Sequence, residues 1–376
     1  MSQLVKFGDV VLKVNDKVDP QEDGLERYVA GEHMVTDDPF LREYGLVGDG
    51  YLGPAFQMRF KPGHILYGSR RTYLRKVAMS SFEGVCANTT FVLRPVNDKL
   101  AKEFLLHVMS TERFHTHSIL QSKGSVNPYI NFSDLVDYEF ELPSLDEQAR
   151  IVELMTAVDE HLDALRSQLE VAKGSRAAVL HQLLSVGGRD WAKIAMDDIF
   201  QLSNKKLGPH NEEPAIFAVS KYDGVVLAQD YFDKRIASKS LDGYKVIEVG
   251  DWVYSTIHID EGSIAVNHFP FTGVVSPMYT SLSWNSENHD PRFFEYLLKS
   301  ARAIVQYKEN AQGTVNRRRS LSWKTFSGLK FDVPSLAEQK RIVEIVSSMD
   351  VVIQATEQAI VEAKVLRTTL LNQEIS

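Results

Sequence analysis

One long stretch of this 376-residue chain occurs twice, and this repeat restricts the architecture more than any other feature. Residues 142–185 and 333–376 align without a gap at an offset of 191. The shared positions include Pro, Glu, Gln, Asp, Lys and Arg residues, so chance does not explain the match. The chain is therefore predicted to contain two copies of one unit, which meet near Gly187 and Gly188.

Both copies of the repeat have the pattern of a long amphipathic helix. Seam positions recur at alternating spacings of four and three residues from Ile151 to Leu183 and again from Ile342 onward. This spacing is that of a heptad seam, and Arg176 is its one polar position in the first copy. Two Ser-x-x-Glu sequences, Ser144 to Glu147 and Ser335 to Glu338, predict a capping box at the start of each helix.

A helix of this length needs a long partner. About 40 residues at a rise of 1.5 Å per residue extend over roughly 60 Å, which is more than a small domain can cover. Since the second copy carries a matching seam, we expect the two helices to pair as an antiparallel coiled coil within the chain. Homodimerisation through one of the helices is the alternative.

The segments that precede the helices are expected to be α+β domains. Each has short β-like runs separated by Gly, Asp and Asn, followed by a helical stretch. The resulting fold class is α+β, with two globular domains alternating with two helices and an approximate twofold relation between the copies. The predicted domains are residues 1–141, 142–185, 186–332 and 333–376.

Charge and composition restrict the function classes. Net charge is −8, which taken alone argues against a nucleic-acid binder, but the helices carry −3 (145–185) and −2 (336–376) of it, so basic patches can exist elsewhere. Cys86 is the single cysteine, which excludes an internal disulfide. No signal-peptide core and no run of 18 apolar residues occurs, so we expect a cytoplasmic protein without a membrane partner.

Basic residues beside aromatic and small polar residues occur in both globular segments. Such side chains can neutralise phosphates and contact guanine edges, although for any single run a solvated loop is an equal alternative. In the first half the candidate DNA-binding residues are Ser69, Arg70, Arg71, Tyr73, Arg75, Lys76, Lys123, Ser125, Asn127 and Tyr129. In the second half they are Lys205, Lys206, Thr314, Asn316, Arg317, Arg318, Arg319 and Lys324.

The repeated element resembles that of a known family. The opening L/V-P-S-L-x-E-Q-x-R-I-V-E before a long heptad helix, placed after each of two dissimilar globular segments, is similar to type I restriction–modification specificity subunits. The KGSVN loop and the strand-loop PGHILYGSR also resemble their target-recognition domains. The resemblance covers essentially the whole chain.

The resemblance implies that each globular domain recognises one half of a split double-stranded DNA sequence and that the helices set the spacing. Two methyltransferase subunits would dock on the chain and use S-adenosylmethionine, and restriction subunits are a further partner that stays open. The candidate partner-binding residues are Glu147, Gln148, Arg150, Glu338, Gln339 and Arg341.

No catalytic or metal site is predicted. Asn127-Pro128-Tyr129 lacks the second proline of the N-P-P-Y motif of amino-methyltransferases, and the second copy has Asn-Arg-Arg instead. The histidines at 107, 115 and 117 have no further ligand-like neighbours in sequence. A scaffold that joins two proteins through the coiled coil, without DNA recognition, is the alternative function.

Overall fold

A computed structural model describes residues 2–185, 190–209, 214–231, 241–312 and 319–375. The chain forms two compact units, of which unit 1 is Met1–Gln168 with Thr356–Ser376 and unit 2 is Leu169–Ala355. Each unit therefore contains one globular part, the first portion of one long helix and the last portion of the other. Each unit combines parts of both long helices with one globular part, so this division does not test the four predicted domain ranges. Those ranges stay predictions.

The elements of the first half, in chain order, are β1 (Gln3–Lys6), α1 (Phe7–Val10), β2 (Val11–Val14), β3 (Arg27–Val29), β4 (Gly45–Leu46), β5 (Phe56–Phe60), β6 (Ile65–Gly68), β7 (Val77–Met79), β8 (Gly84–Ala87), β9 (Thr90–Pro95), α2 (Lys102–Val108), α3 (Glu112–Leu120), β10 (Glu139–Leu142) and α4 (Leu145–Ser185).

Those of the second half are β11 (Ala192–Ala195), β12 (Phe200–Ser203), β13 (Phe217–Ser220), β14 (Gly224–Leu227), α5 (Ala228–Tyr231), β15 (Lys245–Ile247), β16 (Trp252–Ser255), β17 (Ile264–Val266), β18 (Gly273–Val275), β19 (Tyr279–Trp284), α6 (Pro291–Leu298), α7 (Ala301–Asn310), α8 (Trp323–Ser327), β20 (Lys330–Val333) and α9 (Leu336–Glu374).

The duplication extends into the globular parts. Each unit has an antiparallel four-stranded sheet with the same order, β2-β9-β6-β7 in unit 1 and β12-β19-β16-β17 in unit 2. Each also has a two-stranded sheet, β1-β10 or β11-β20, that joins the start of the globular part to the strand before its long helix. The units differ elsewhere: unit 1 has the sheet β4-β3-β8-β5, whereas unit 2 has the pairs β13-β14 and β15-β18. The α+β class is confirmed.

The long helices form one core with the globular part of each unit. In unit 1, Ile151 and Met155 of α4 and Leu371 of α9 are buried in the cluster that contains Phe7 and Phe114. In unit 2, the equivalent portions of the helices join the cluster around a buried tryptophan of β16. Burial of this apolar surface is what fixes each helix to its sheet and to its partner helix.

The predicted heptad seam is confirmed, because every seam position in both helices is buried or half-buried. The helix portions within each unit run antiparallel. In unit 1 the carboxylate of Asp159 accepts a hydrogen bond from Nε of Arg367 at 2.5 Å. In unit 2 the guanidinium of Arg176 pairs in the same way with Asp350. The two ion pairs are equivalent, because Asp159 and Arg176 correspond to Asp350 and Arg367 at the repeat offset of 191. The arginine that interrupts each seam therefore pairs with an aspartate of the other helix.

Each long helix begins with the predicted serine cap. Ser144 Oγ accepts from the amide of Glu147 at 3.4 Å, and Ser335 Oγ does the same for Glu338. The capping box also predicts a bond from the amide of Ser144 to the Glu147 carboxylate, and this part of the prediction is wrong. The Glu147 carboxylate instead accepts from Arg150, one turn along the helix, at 2.7 Å. The second copy repeats this pair.

Two classes of site receive no support within the described ranges. No helix there has an apolar stretch of membrane-spanning length. In the same ranges, no three His, Cys, Asp or Glu side chains are grouped as a metal-ligand set.

Candidate nucleic-acid interface

The first basic run forms the loop between β6 and β7. Arg70, Arg71 and Tyr73 are exposed, and Thr72–Leu74 form a short 3-10 turn inside the loop. The turn is bounded by Arg71 at φ 52° and Arg75 at φ 49°, both in the left-handed region that side chains seldom adopt. The loop is therefore held in a specific conformation that directs its three exposed side chains outward.

A second loop, 123–129, forms a small hairpin. The backbones of Lys123 and Tyr129 exchange two hydrogen bonds of 2.8 and 2.9 Å. Gly124, at φ 89°, allows the chain to turn immediately after Lys123. Ser125 and Asn127 are exposed at the tip.

The fold brings these two loops together, although they are about fifty residues apart in sequence. The amide of Ile130 donates to the carbonyl of Ser69 at 2.9 Å, and the amide of Arg71 donates to the carbonyl of Pro128 at 2.6 Å. The Arg70 guanidinium also lies 5.9 Å from the ring centre of Tyr129. Together they form one exposed surface, which we call surface 1: Arg70, Arg71, Tyr73, Ser125, Asn127 and Tyr129.

Four other candidates of the first half bond to the protein itself. Ser69 is buried and its hydroxyl donates to the carbonyl of Thr89 at 2.7 Å. The Lys123 ammonium donates to the Asp134 carboxylate at 2.9 Å and lowers the pKa of that carboxyl group. Lys76 donates to the carbonyl of Gly31, and Arg75 pairs with Glu112. The polar groups of these four side chains are thus engaged in bonds within unit 1.

Unit 2 has the same backbone arrangement at the equivalent place. The amide of Leu321 donates to the carbonyl of Thr256 at 2.8 Å, and Gln312 and Ser320 exchange two backbone bonds as Lys123 and Tyr129 do. Arg319 is exposed beside this pairing, and Lys324 is exposed in the first turn of α8. The other candidates of this segment, Thr314, Asn316, Arg317 and Arg318, lie outside the described residues.

The remaining candidates of the second half belong to another part of unit 2. Lys205 and Lys206 are exposed next to β15, where the amide of Val246 donates to the carbonyl of Lys205 at 2.8 Å. The Lys205 ammonium pairs with Glu248, and this pairing raises the pKa of the lysine. Among the described residues, no hydrogen bond connects the two lysines with the segment around Arg319.

The interface loops of the two units differ in charge. The loop after β6 carries four basic residues between 69 and 76, whereas the loop after β16 carries Asp260 and Glu261 at the equivalent turn. Glu261 is exposed and accepts from Lys221 at 3.1 Å. Two surfaces built on the same backbone therefore present different electrostatic fields to a ligand.

The predicted partner-binding residues divide into two groups. Glu147 with Arg150, and Glu338 with Arg341, form ion pairs at matching positions near the start of each long helix, with side chains about half exposed. The two glutamines have no exposed surface. Gln148 accepts from the amide of Ala101 at 2.8 Å, so it bonds within the chain instead of facing a partner.

Sequence reasoning missed the residues that hold the surface. Asp134 and Glu112 lie in stretches without a recognisable motif, and each pairs with a basic residue more than ten positions away. The paired aspartates of the helices were visible as identical residues in the two copies, so Asp159 and Asp350 could have been matched with the seam arginines.

Comparison with known proteins gives a consistent result. A family model, the type I restriction modification DNA specificity domain, matches residues 3–172 and again residues 188–364. The Escherichia coli type I restriction enzyme EcoDI specificity subunit is 31% identical over 113 residues, which are 30% of this chain and 25% of that protein. The putative type I restriction enzyme MjaX specificity subunit of Methanocaldococcus jannaschii is 21% identical over 286 residues, 70% of this chain and 64% of that protein. The matched part is thus less than two thirds of either relative.

Solved structures share the fold over nearly the full chain. A chain from a study of complex assembly and conformational transition of the type I R-M system aligns with a TM-score of 0.65 and 17% identity, covering 99% of this chain and 97% of its own. The S subunit of a type I restriction–modification system from M. genitalium aligns with a TM-score of 0.55 and 15% identity, covering 100% of this chain and 96% of its own. At such identities the likeness concerns the fold alone.

Proposed function

Because this chain belongs to the type I restriction modification DNA specificity family, we propose that it is the DNA-recognition subunit of a type I restriction–modification complex. One observation carries the proposal beyond family membership. Two units with the same sheet order present different exposed loops at the same place, after β6 and after β16. A protein that recognises two different half-sites with two related domains needs this combination.

In the first half-site, surface 1 is the DNA contact. The guanidinium groups of Arg70 and Arg71 can bind phosphates or make bidentate bonds to guanine O6 and N7, and Tyr129 offers a ring and a hydroxyl. In the second half-site, the contact includes Arg319 and the neighbouring arginines of its segment. Local positive charge at these places overcomes the net charge of −8, much of which lies on the helices.

The two long helices act as the spacer and as the docking site for the other subunits. The ion pairs Glu147–Arg150 and Glu338–Arg341 occupy matching positions near the starts of the two helices, so two identical methyltransferase subunits can bind one chain. Arg150 differs from Arg341 in that it also pairs with Glu374. Those subunits use S-adenosylmethionine to modify an adenine in each half-site, and this chain is non-catalytic. Restriction subunits are an additional partner, and the complex acts on DNA in the cytoplasm.

The test is DNA binding by the chain co-expressed with its methyltransferase subunit. Duplexes enriched by this complex from a random library should contain two fixed half-sites separated by a constant gap. Binding should weaken steeply with salt, with a log–log slope of about −0.9 per neutralised phosphate. Absence of sequence-dependent binding at every salt concentration would refute the proposal and favour the protein-scaffold alternative.

A matched pair of variants tests the assignment of each surface to one half-site. Arg70→Ala in unit 1 and Arg319→Ala in unit 2 should each relax recognition at a different half-site. Loss of a bidentate base contact should cost about 1–3 kcal/mol at the affected position. Equal losses at both half-sites in both variants would contradict modular recognition.

A further inference from the structure

Arg75 has an unusual backbone conformation. It ends the 3-10 turn of the loop after β6 at φ 49°, in the left-handed region. The equivalent turn of unit 2 ends at Gly262, also left-handed at φ 96°. Glycine adopts this conformation without steric cost, whereas an arginine adopts it only when other contacts compensate. Unit 2 forms the same turn with a glycine, so the turn itself does not need a side chain at position 75.

The guanidinium of Arg75 is directed into the protein. It donates two bonds to the carboxylate of Glu112, and the one from Nη2 to Oε2 is 2.7 Å long. Glu112 is the first residue of α3, and its own amide donates to Oδ1 of Asn372 at 2.9 Å. Asn372 belongs to the last turn of α9, where its Nδ2 donates to the carbonyl of Thr368 at 2.8 Å. A continuous chain of bonds thus links the interface loop to the spacer helix.

Unit 2 cannot form this chain. The helix caps Thr111 and Ser300 align the starts of α3 and α7, so Ala301 occupies the place of Glu112. His181 of α4 occupies the place of Asn372 at the repeat offset, and Gly262 the place of Arg75. The linkage is consequently a property of unit 1 alone, and the rest of the shared fold does not need it.

We propose that Arg75 is a positioning residue that fixes surface 1 to the end of α9 through Glu112 and Asn372, and that it does not contact DNA. This inference rests on the proposed function, because surface 1 is the DNA contact there. It also changes the role that the basic run suggests: Arg70 and Arg71 face the ligand, and Arg75 faces the protein. Loss of the linkage should therefore impair recognition of the first half-site without removing a phosphate contact.

The experiment compares four variants of the full chain in complex with its methyltransferase, on the duplex that the wild-type complex enriches most strongly. Arg75→Gly keeps the left-handed backbone and removes the side chain, as in unit 2. Glu112→Gln removes the charge of its partner. The double variant Arg75→Glu with Glu112→Arg reverses the pair, and Arg70→Ala is the control for a direct DNA contact.

We expect Arg75→Gly and Glu112→Gln to weaken binding equally, by about fivefold, with the salt slope unchanged. Base discrimination should relax at one half-site only, and amide exchange should accelerate in residues 69–76. The reversed pair should regain most of the affinity. Arg70→Ala should instead lower the salt slope by about one.

Three results would overturn the inference: a lower salt slope in Arg75→Gly, wild-type recognition by Glu112→Gln, or a reversed pair that binds worse than either single change. Each would assign Arg75 to the DNA or to no role. If the proposed function is wrong, the wild-type complex itself will show no sequence-dependent binding. If only the role of Arg75 is wrong, the wild-type complex will still bind its sequence. A variant that lost stability alone would not relax one half-site selectively.

Discussion

Replacement of Arg367 by methionine should destabilise the protein far more than the same replacement of Arg176. The repeat makes these two arginines equivalent, and each pairs with an aspartate of the opposite helix. Their burial differs: the side chains of Arg367 and Asp159 are 8% and 5% exposed, whereas those of Arg176 and Asp350 are 27% and 35% exposed. If the arginine is removed, water can therefore hydrate the aspartate that remains in unit 2, but it cannot reach the aspartate that remains in unit 1.

The magnitude follows from what each substitution leaves behind. Arg367→Met leaves the Asp159 carboxylate buried without its partner, which should lower the free energy of unfolding by about 3–5 kcal/mol. Arg176→Met leaves Asp350 accessible to solvent, and the expected cost is about 1 kcal/mol or less. Burial raises the pKa of Asp159 even with Arg367 beside it, so the intact pair contributes little net stability. The double variant Asp159→Leu with Arg367→Met should accordingly recover most of the loss.

The assay is urea denaturation of the full chain, with amide exchange of peptides from both long helices to locate the change. The loss in Arg367→Met should also shrink as the pH falls toward 4. The pKa of Asp159 in the folded protein is raised above its ordinary value of 3.8. Such a group stabilises the folded protein below pH 3.8, and this contribution is lost as the pH rises through the folded pKa. Equal losses in the two single variants, or a double variant as unstable as Arg367→Met, would refute the reasoning.

Three further outcomes are expected. The ion pair of unit 1 places Gln168 and Gln358 opposite each other on the two helices. Insertion of one heptad after each of them should lengthen the gap between the recognised half-sites by about 10 Å, or roughly three base pairs. A library-selection assay measures this gap, and an unchanged gap would contradict the spacer role. Burial lowers the pKa of His115 to about 4 and that of His107 to about 3, so below pH 6.5 the unfolded chain binds protons that the folded chain does not, and stability at pH 5 should fall by about 2 kcal/mol for each of these histidines. His115→Ile, which copies Ile304 of unit 2, should remove about half of this fall and leave the part due to His107, and an unaltered curve would exclude His115 as a source. Iodoacetamide should leave native Cys86 unmodified, because burial raises the pKa of its thiol to about 12, and rapid alkylation under native conditions would contradict this.

The helices were predictable because their signals are periodic and local. A seam from Ile151 to Leu183 and the serine caps are visible within a few turns of sequence, and the second copy supplies the partner. The antiparallel direction within each unit also follows from identical residues, since Asp159 and Arg176 recur at 350 and 367 and can pair only crosswise.

The interface was predictable only in part, because it depends on long-range contacts. The basic run and the KGSVN hairpin were recognised separately, but nothing in either indicates that Ile130 bonds to Ser69. Charge pattern also does not distinguish a guanidinium that faces solvent from one that faces the protein. Arg75 and Arg70 look alike in sequence, and only the position of Glu112 in the fold separates them.

The buried glutamines fix the globular part of each unit to its long helix in the same way. Gln148 bonds to the amide that precedes α2, and Gln339 bonds to the amide that precedes α6, both at 2.8 Å. Each glutamine also donates to the carbonyl of the proline five residues before it, at 2.9 and 2.8 Å. The same side chain in both copies thus fixes the globular helices to the long helix. These attachments lie in the part of the sequence that repeats, whereas Arg70, Arg71 and Tyr73 lie in a loop whose counterpart in unit 2 has a different sequence. The exposed loops can therefore differ between the units without altering how each globular part is attached to its long helix.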